Sequence, residues 1–328
     1  MSKIESQRSD QGTASNGTDT PEISIIMACY NAAAFLKEAV SSALSQQDIT
    51  LEVLIIDDHS TDNSFEVANE LAGKDSRIRV FQTPENAGPG GARNVGIEQM
   101  RGDWYAMLDC DDAFASERCR KLIDAANLSG ADMIADDLAV FGDEVQSQRH
   151  LGKDFETPSS LITLDDYFAG TVMFSAKPNL GFLKPIIHRR LLHAIRYRSD
   201  LRIGEDDELV IRLLLAGAKY AYHPQALYHY RKHDASISHR LSAEHGALMV
   251  RSEENIRAKV HSAGETSDAY HTRYHSILDA AAFSSSVEAL KSKDLGSAIG
   301  AILKRPSALR HYAMPIAARW NRMIGKAQ

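Results

Sequence analysis

The 328-residue chain is poor in cysteine and has no long apolar run. Its three cysteines are an odd number without metal-ligand spacing, which favours buried thiols in a reducing compartment over a disulfide framework. No stretch of about 18 apolar residues occurs, so no membrane-spanning helix is predicted. Residues 1–21 are polar and lack the apolar segment of a signal peptide, and we expect a disordered tail and a cytoplasmic protein.

The chain also lacks an excess of basic residues. The formal net charge is −7, which argues against general nucleic-acid binding. A hydrophobic content of 44% is sufficient for a substantial core. We expect one large domain over residues 22–240 and a helical region over residues 241–328.

Apolar segments typical of buried strands alternate with amphipathic segments typical of helices. The predicted strands are residues 23–29, 51–56, 77–81 and 104–108, and the predicted helices are residues 33–46, 64–72, 92–100, 118–128 and 208–216. Weaker strand patterns occur at 132–135 and 183–187, residues 142–180 are irregular, and the chain after about residue 240 is helical. This alternation predicts an α/β fold with a mostly parallel sheet flanked by helices, followed by a C-terminal helical region.

Three carboxylates follow the fourth predicted strand within four residues: Asp109, Asp111 and Asp112. Carboxylates this close repel one another unless solvent, protons or a cation offset the charge. A hard divalent ion such as Mg²⁺ or Mn²⁺, shared with phosphate oxygens, is one such cation. An exposed acidic turn is the alternative for this motif taken alone.

Polar residues also follow the first two predicted strands, at Tyr30–Asn31 and Asp57–Asp58. Ligands of parallel sheets bind beyond the carboxyl ends of the strands. The acidic cluster and these two pairs are therefore predicted to lie together at one edge of the sheet.

Motifs in a fixed order make the sequence resemble the inverting family 2 glycosyltransferases of the GT-A fold, especially those that build bacterial exopolysaccharide and other surface glycans. The resemblance runs from about Ile23 to Ser238. The matching segments are residues 24–31 (SIIMACYN), 55–62 (IIDDHSTD), 86–88 (NAG), 91–96 (GARNVG), 108–112 (LDCDD), 204–207 (GEDD) and 230–233 (YRKH) with Ser236 and Ser238. His59 stands where the family usually has glycine.

The resemblance implies roles for individual residues. Asp206 would be the general base that deprotonates the acceptor hydroxyl. The residues that would bind the sugar donor are Tyr30, Asp58, Arg93, Asp109, Asp111 and His233. The residues that would hold a divalent Mn²⁺ or Mg²⁺ ion are Asp111 and Asp112, with Asp109 close by. Arg93 would contact the nucleotide or hold the acidic cluster, and Asp207 would stabilise the start of its helix.

The implied reaction is metal-dependent transfer of one sugar, glucose being expected, from a UDP-sugar to a hydroxyl group of a lipid-linked glycan. The Q-x-x-R-W motif of processive synthases is missing, which argues against polymerisation. Three other interpretations of the sequence are considered: a non-catalytic nucleotide-sugar-binding descendant, a sugar-phosphate nucleotidyltransferase, and a dinucleotide-binding oxidoreductase. For the oxidoreductase, the glycines of residues 88–91 follow the wrong strand, and Arg93 occupies a position that needs a small residue.

The C-terminal segment has no Asp or Glu after Asp294. Its apolar residues fall on one side of a helical wheel (Tyr312, Ile316, Trp320, Met323 and Ile324), and its basic residues gather on another (Arg319, Arg322 and Lys326). Such a helix is typical of a peripheral membrane anchor, here at the inner face of the cell membrane. Packing of this helix on the acidic catalytic domain is the alternative.

Overall fold

The computed structural model describes residues 20–142, 145–152, 155, 161–175, 177–232 and 242–313. Ten strands of these residues form one sheet, in the order β3-β2-β1-β4-β9-β6-β10-β5, with β7 beside β6 and β8 beside β10. The strands are β1 (Ile23–Cys29), β2 (Leu51–Asp57), β3 (Ile78–Gln82), β4 (Trp104–Met107), β5 (Ala113–Phe114), β6 (Met133–Gly142), β7 (Val145–Arg149), β8 (Leu161–Ile162), β9 (Ile186–His188) and β10 (Tyr220–Arg231).

Ten α-helices accompany the sheet in the described residues. They are α1 (Leu36–Leu44), α2 (Ser64–Ala72), α3 (Gly88–Gln99), α4 (Arg118–Ser129), α5 (Leu164–Gly170), α6 (Arg189–Leu192), α7 (Glu205–Leu215), α8 (Ala243–Ala263), α9 (Asp268–Lys291) and α10 (Leu295–Lys304). A 3₁₀ helix, Pro306–Tyr312, follows α10. Within the described ranges, no helix is both long and apolar enough to cross a bilayer.

Most strands of the sheet run in the same direction. The strands β3, β2, β1 and β4 pair in parallel, and β6 pairs in parallel with β10. The short strand β9 is antiparallel to both β4 and β6, so it joins the two parallel groups without reversing their direction. The predicted α/β class with a mostly parallel sheet is confirmed.

The core lies on both faces of β1 and β2. Every residue of β2 is buried, and β1 has one partly exposed residue, Ala28. The alternating faces of these strands are apolar because helices cover both sides of a parallel sheet. Helix α1 buries Leu36, Ala39, Val40 and Ala43 against the sheet.

Helix α3 begins earlier than the sequence predicts. We expected a loop over residues 83–91 and a helix from Ala92, but the helix starts at Gly88. Pro89 lies in the first turn, where its missing N–H has no helical partner to lose. Gly90 has room for no side chain, because a Cβ there would lie 2.8 Å from the Arg198 carbonyl oxygen. The glycine therefore lets the helix pack closely on the neighbouring chain, and the expected loop is confirmed for residues 83–87 but wrong for residues 88–91.

Two of the C-terminal helices contact the preceding domain, because α9 packs on α5 and α8 packs on α7, while α10 packs on α9. The predicted helical character of this region is confirmed for residues 242–313. The expected tail is described only from residue 20, and the predicted basic helix lies outside the described residues, apart from Tyr312 and Ala313.

Candidate functional site

The carboxyl ends of β1, β2 and β4 lie side by side at one edge of the sheet. The register of β1 with its two neighbours pairs Cys29 with Asp57 and Ile26 with Met107. The polar groups after these strands therefore face one region, as the sequence predicts. Helix α7, with Asp206 in its first turn, closes this region from another side, because Arg93 and Lys184 tie it to the acidic cluster.

Two cations, Arg93 and Lys184, bring the acidic cluster and the first turn of α7 together. Arg93 donates from Nη2 to Asp109 Oδ1 at 2.9 Å, and from Nη1 to Glu205 at 2.8 Å and to Asp206 at 3.0 Å. Lys184 Nζ lies 2.9 Å from Asp109 Oδ2 and donates to Asp206 Oδ2 at 3.1 Å. The site is thus an ion-pair network in which two cations hold three carboxylates.

The position of Arg93 depends on the residue that follows it. Asn94 donates from Nδ2 to the Tyr197 carbonyl at 2.8 Å, and its Oδ1 accepts the Tyr197 N–H at 3.0 Å. The Tyr197 ring lies 5.5 Å from the guanidinium carbon of Arg93, close enough for a cation–π contact. This clamp fixes the loop before α7 and explains why an Arg-Asn pair occurs at this place.

A buried ion pair holds the main chain at Lys184. Arg118 pairs with Asp136 at 2.8 Å, and both side chains are fully buried. The same Nη2 atom of Arg118 donates to the Lys184 carbonyl at 2.6 Å. The buried Arg118–Asp136 pair therefore fixes the backbone of Lys184, whose ammonium group contacts the carboxylates of Asp109 and Asp206.

The network changes the protonation of its members. Burial by itself raises the pKa of Asp109, but the charges of Lys184 and Arg93 outweigh it and hold the pKa of Asp109 well below its usual range. Burial, and then the charge of Asp206, raises the pKa of Glu205. Burial lowers the pKa of Lys184, yet Asp109 and Asp206 together hold that pKa above its ordinary value. The carboxylate of Asp109 therefore stays charged at neutral pH.

Asp112 does not face solvent. Its Oδ2 accepts from the Tyr228 hydroxyl at 2.8 Å, its Oδ1 accepts from the Arg231 N–H at 2.7 Å, and it is 2% exposed. Burial, and then the charges of Asp109 and Asp111, raises the pKa of Asp112 well above its usual range. The structure gives this predicted metal ligand a role in fixing the end of β10 to the acidic cluster.

Asp111, like Asp109, is partly exposed. Its main-chain oxygen accepts from Arg231 Nε at 2.8 Å, which fixes its backbone. Within the described residues, no group of three or more His, Cys, Asp or Glu side chains forms a metal cage. The cluster can therefore offer at most two carboxylates to a Mg²⁺ or Mn²⁺ ion, whose remaining ligands would be phosphate oxygens and water.

Asp58 is buried and organises the start of α3. Its Oδ1 accepts from Thr83 Oγ1 at 2.9 Å and from the Ala87 N–H at 2.8 Å, and its Oδ2 accepts from the Gly88 N–H at 2.8 Å. A carboxylate at a helix N-terminus satisfies amides that have no partner inside the helix. Asp58 thereby orders the helix that carries Arg93. The Tyr30 ring, by contrast, is 50% exposed at the same edge.

His59 adopts the backbone conformation that the usual glycine would supply. Its φ is +60°, in the left-handed region. The turn after β2 therefore keeps its shape despite the substitution, at the cost of backbone strain. His233, which the sequence suggested as a contact of the sugar donor, lies outside the described residues.

Sequence reasoning missed Lys184, Tyr228 and the strand that carries Tyr228. Lys184 precedes Pro185 in a segment whose strand pattern is weak, and no motif included it. Tyr228 lies two residues before the predicted motif at 230–233. The detectable signal was the raised density of aromatic residues at 220–230, which is typical of a strand.

Residues 24–191 match the family described as glycosyl transferase family 2. Over 308 residues the chain is 35% identical to the succinoglycan biosynthesis protein ExoO of Rhizobium meliloti, covering 93% of this chain and 88% of that protein. The chain belongs to glycosyl transferase family 2. This family 2 glycosyltransferase is therefore an enzyme that transfers sugars, and the alternatives of a nucleotidyltransferase and an oxidoreductase are set aside.

Solved structures share the fold of this family 2 glycosyltransferase. TarS of S. aureus in complex with UDP-GlcNAc superposes with a TM-score of 0.54 at 18% identity, over 84% of this chain and 89% of that one. The mannosyltransferase PcManGT of Pyrobaculum calidifontis, in complex with GDP-Man and Mn²⁺, gives a TM-score of 0.54 at 14% identity, over 93% of this chain and 81% of that one. The predicted GT-A fold is confirmed.

Proposed function

We propose that this glycosyltransferase moves one sugar, glucose by preference, from a UDP-sugar to a hydroxyl group of a lipid-linked glycan, with inversion at the anomeric carbon. The observation that carries the proposal is the network of Arg93 and Lys184, which sets Asp206 across from Asp109. A carboxylate in that place can remove the acceptor proton while the acidic cluster and its cations meet the diphosphate.

Asp206 supports a single displacement. The base takes the proton of the acceptor hydroxyl as that oxygen attacks the anomeric carbon, and the bond to the diphosphate oxygen breaks on the opposite side. Such a step inverts the anomeric centre. Arg93 Nη1 is shared by Asp206 and Glu205, so it orients the base and leaves the Asp206 oxygens with further lone pairs for the acceptor.

The sugar donor would bind through the edge of the sheet. Tyr30 offers an exposed ring face for stacking on the base. Asp58 Oδ2 accepts one hydrogen bond from the chain within the described ranges, from Gly88, so a lone pair is available to a uracil N–H. His233 remains a proposed contact of the diphosphate. TarS, which shares this fold, binds UDP-GlcNAc, whereas PcManGT binds GDP-Man, so the proposal of a uridine nucleotide rests on Asp58.

We propose that Asp111, with Asp109 nearby, holds a Mg²⁺ or Mn²⁺ ion, and that Asp112 contributes by fixing the backbone of the cluster. A bound divalent ion would supply Lewis-acid compensation for the charge that develops on the leaving diphosphate. The Mn²⁺ ion in the PcManGT complex supports this assignment. Asp112 itself already accepts two hydrogen bonds from the chain, so we place it second to Asp111 as a ligand.

The biological setting follows from the similarity to ExoO, which is named for succinoglycan biosynthesis. We propose that the enzyme acts in exopolysaccharide assembly on a lipid-linked acceptor at the inner face of the cell membrane. Helix α10 supports the membrane contact. It exposes Leu295 (63%), Ile299 (59%) and Leu303 (73%), and basic residues flank it at Lys293 and Lys304.

A screen of nucleotide sugars tests the proposed function. Purified enzyme is expected to release UDP from UDP-glucose with Mn²⁺ or Mg²⁺, and NMR of the transferred product should show an inverted anomeric configuration. Calorimetry should show that UDP binds and that EDTA weakens the binding. Equal affinity for GDP would refute the uridine nucleotide, and binding that EDTA leaves unchanged would refute the metal. A retained anomeric configuration would refute the single displacement.

A further inference from the structure

The first turn of α7 carries four successive acidic residues, and each pairs with at least one cation. Glu205 and Asp206 pair with Arg93, Asp206 also pairs with Lys184, and Glu208 pairs with Arg212 at 2.7 Å. The remaining carboxylate, Asp207, points away from the sugar-donor site and pairs with Arg273 at 2.6 Å. Arg273 belongs to α9, so this contact comes from the C-terminal helices.

Arg273 is enclosed on all sides. It is 3% exposed, and its Nη2 also donates to Glu253 of α8 at 3.0 Å. Its Nη1 donates to the carbonyl of Thr171, the residue after α5, at 3.3 Å. Burial lowers the pKa of Arg273, but the charges of Asp207 and Glu253 hold that pKa above its ordinary value. One planar guanidinium thus joins α5, α7, α8 and α9.

Loss of the Arg273 guanidinium would leave the carboxylates of Asp207 and Glu253 without a positive partner. Asp207 Oδ1 and Glu253 Oε1 are buried without hydrogen-bond partners in the described residues. Both carboxylates therefore depend on the guanidinium for compensation. Helix α7 has no side-chain cap at its N-terminus, where Gly204 adopts a φ of +75°. The Asp207–Arg273 pair therefore anchors the first turn of α7 from the side opposite the cluster.

We propose that Arg273 is a positioning residue for sugar transfer, which holds the first turn of α7 so that Asp206 meets the acceptor. The inference rests on the proposed role of Asp206 as the base. It assigns the C-terminal helices a part in catalysis, because the guanidinium that fixes the base comes from α9. A displacement of about 1 Å at a reacting group can lower a rate by about a hundredfold.

The experiment compares Arg273→Met and Arg273→Lys with the wild-type enzyme. The matched control is Arg257→Met, which removes an exposed arginine of α8 that pairs with Glu254 and contacts Tyr274. The readouts are kcat, KM and the pH–rate profile for UDP release from the UDP-sugar that the screen identifies, and hydrogen exchange of the amides of residues 205–210. Asp206→Asn is measured in parallel.

Arg273→Met is expected to lower kcat about tenfold to a hundredfold while KM for the sugar nucleotide stays within about twofold. The pH–rate profile should also differ from that of the wild type, because the variant removes a positive charge beside the first turn of α7. Exchange of the first-turn amides should accelerate. Arg273→Lys should recover part of each effect, and Arg257→Met should match the wild type.

Wild-type kcat, pH profile and amide exchange in Arg273→Met would overturn the inference. If that variant does not fold, wild-type behaviour of a folded Asp207→Asn variant, which removes the carboxylate that Arg273 holds on α7, would overturn it instead. An active Asp206→Asn enzyme would refute the proposed base, whereas an inactive one beside a fully active Arg273→Met enzyme would refute the positioning role. The two failures are therefore distinct.

Discussion

At the scale of single residues, Lys184 changes how the proposed base must work. Its ammonium group lies within 3.1 Å of Asp206 and also contacts Asp109. The acceptor hydroxyl must therefore approach Asp206 by a lone pair that neither Lys184 nor Arg93 uses. The same two cations stay in place to meet the negative charge of the departing diphosphate.

Replacing Asp206 by Asn should abolish transfer and spare nucleotide binding. A general base contributes on the order of 10²–10⁴ in rate, and this one faces the acceptor rather than the nucleotide. Steady-state kinetics and UDP calorimetry provide the measurement. Asp111→Ala is the contrasting variant, and it should lose both activity and UDP affinity. More than about a tenth of the wild-type rate in Asp206→Asn would place the base elsewhere, with Glu205 as the next candidate, because Asp207 pairs with Arg273 on the other side of the helix.

His59 permits a test of strain in the turn after β2. His59→Val should destabilise the protein by about 1–2 kcal/mol, because a β-branched side chain resists a φ of +60°. His59→Gly should change the free energy of unfolding by less than about 1 kcal/mol, since relief of strain offsets the added freedom of the unfolded chain. Urea denaturation measures both. Equal stability of the Val and Gly variants would show that this conformation is not needed.

At the scale of elements, helix α10 has an apolar face that the described residues leave exposed. Ile299→Glu combined with Leu303→Glu should reduce flotation of the enzyme with vesicles of phosphatidylcholine and phosphatidylglycerol, because apolar burial and roughly 1 kcal/mol per basic residue favour the bound state. Salt should release the wild-type enzyme.

Leu128→Glu is the matched control for this membrane test, because Leu128 is 92% exposed on α4, outside the C-terminal helices. The control should float like the wild type. If the wild type stays in the soluble fraction with every vesicle, the membrane contact is wrong.

Strand β10 shows why part of the fold could not be predicted. Pro224 interrupts its sequence and argues against a strand. In its pairing with β6, the strand accommodates this proline through register shifts between His223 and Tyr228. These shifts depend on the partner strand, so the local sequence does not reveal them. Strand β9 has three residues, so the strand pattern over residues 183–187 is weak and gives its bounds only in part. The long strands β1 and β2, by contrast, were predictable because burial on both faces leaves a continuous apolar run.

The same distinction applies to the site. Asp109, Asp206 and Arg93 were predictable because each lies in a motif at the end of an element. Lys184 was not, because a contact between residues distant in the chain leaves no local pattern. The orientation of Asp207 toward Arg273 was also hidden, since it depends on how α9 packs against α7.

At the scale of the whole molecule, Asp279 secures the C-terminal helices. It is 2% exposed and accepts from Arg305, Ser307 and Arg310 at 2.7–3.1 Å. Burial raises the pKa of Asp279, but bonds from Ser307 and Arg305 outweigh it and hold the pKa below its usual range. Asp279→Asn should therefore reduce stability by about 1.5–3 kcal/mol at neutral pH.

The stabilisation that Asp279 provides should change with pH in a definite direction. The folded-state pKa of Asp279 lies below the unfolded value of about 3.9, so its stabilisation is present above that value and is lost as the pH falls through the folded-state pKa. Denaturation of wild type and Asp279→Asn should differ constantly from about pH 8 to 5 and converge in more acidic buffer. Asp75→Asn, which breaks an exposed pair with Arg77, is the control. A difference that grows on acidification would contradict the assignment.

The late position of β9 in the sequence also determines when the edge of β4 can be paired during synthesis on the ribosome. Strands β1 to β4 are synthesised first, and they leave β4 as an open edge until Ile186–His188 emerges to pair with it. An unpaired edge of this kind invites association with other chains. The same late strand follows Lys184 by one residue. Pairing of β9 with β4 therefore both covers the open edge of the sheet and brings the ammonium group of Lys184 close to Asp109.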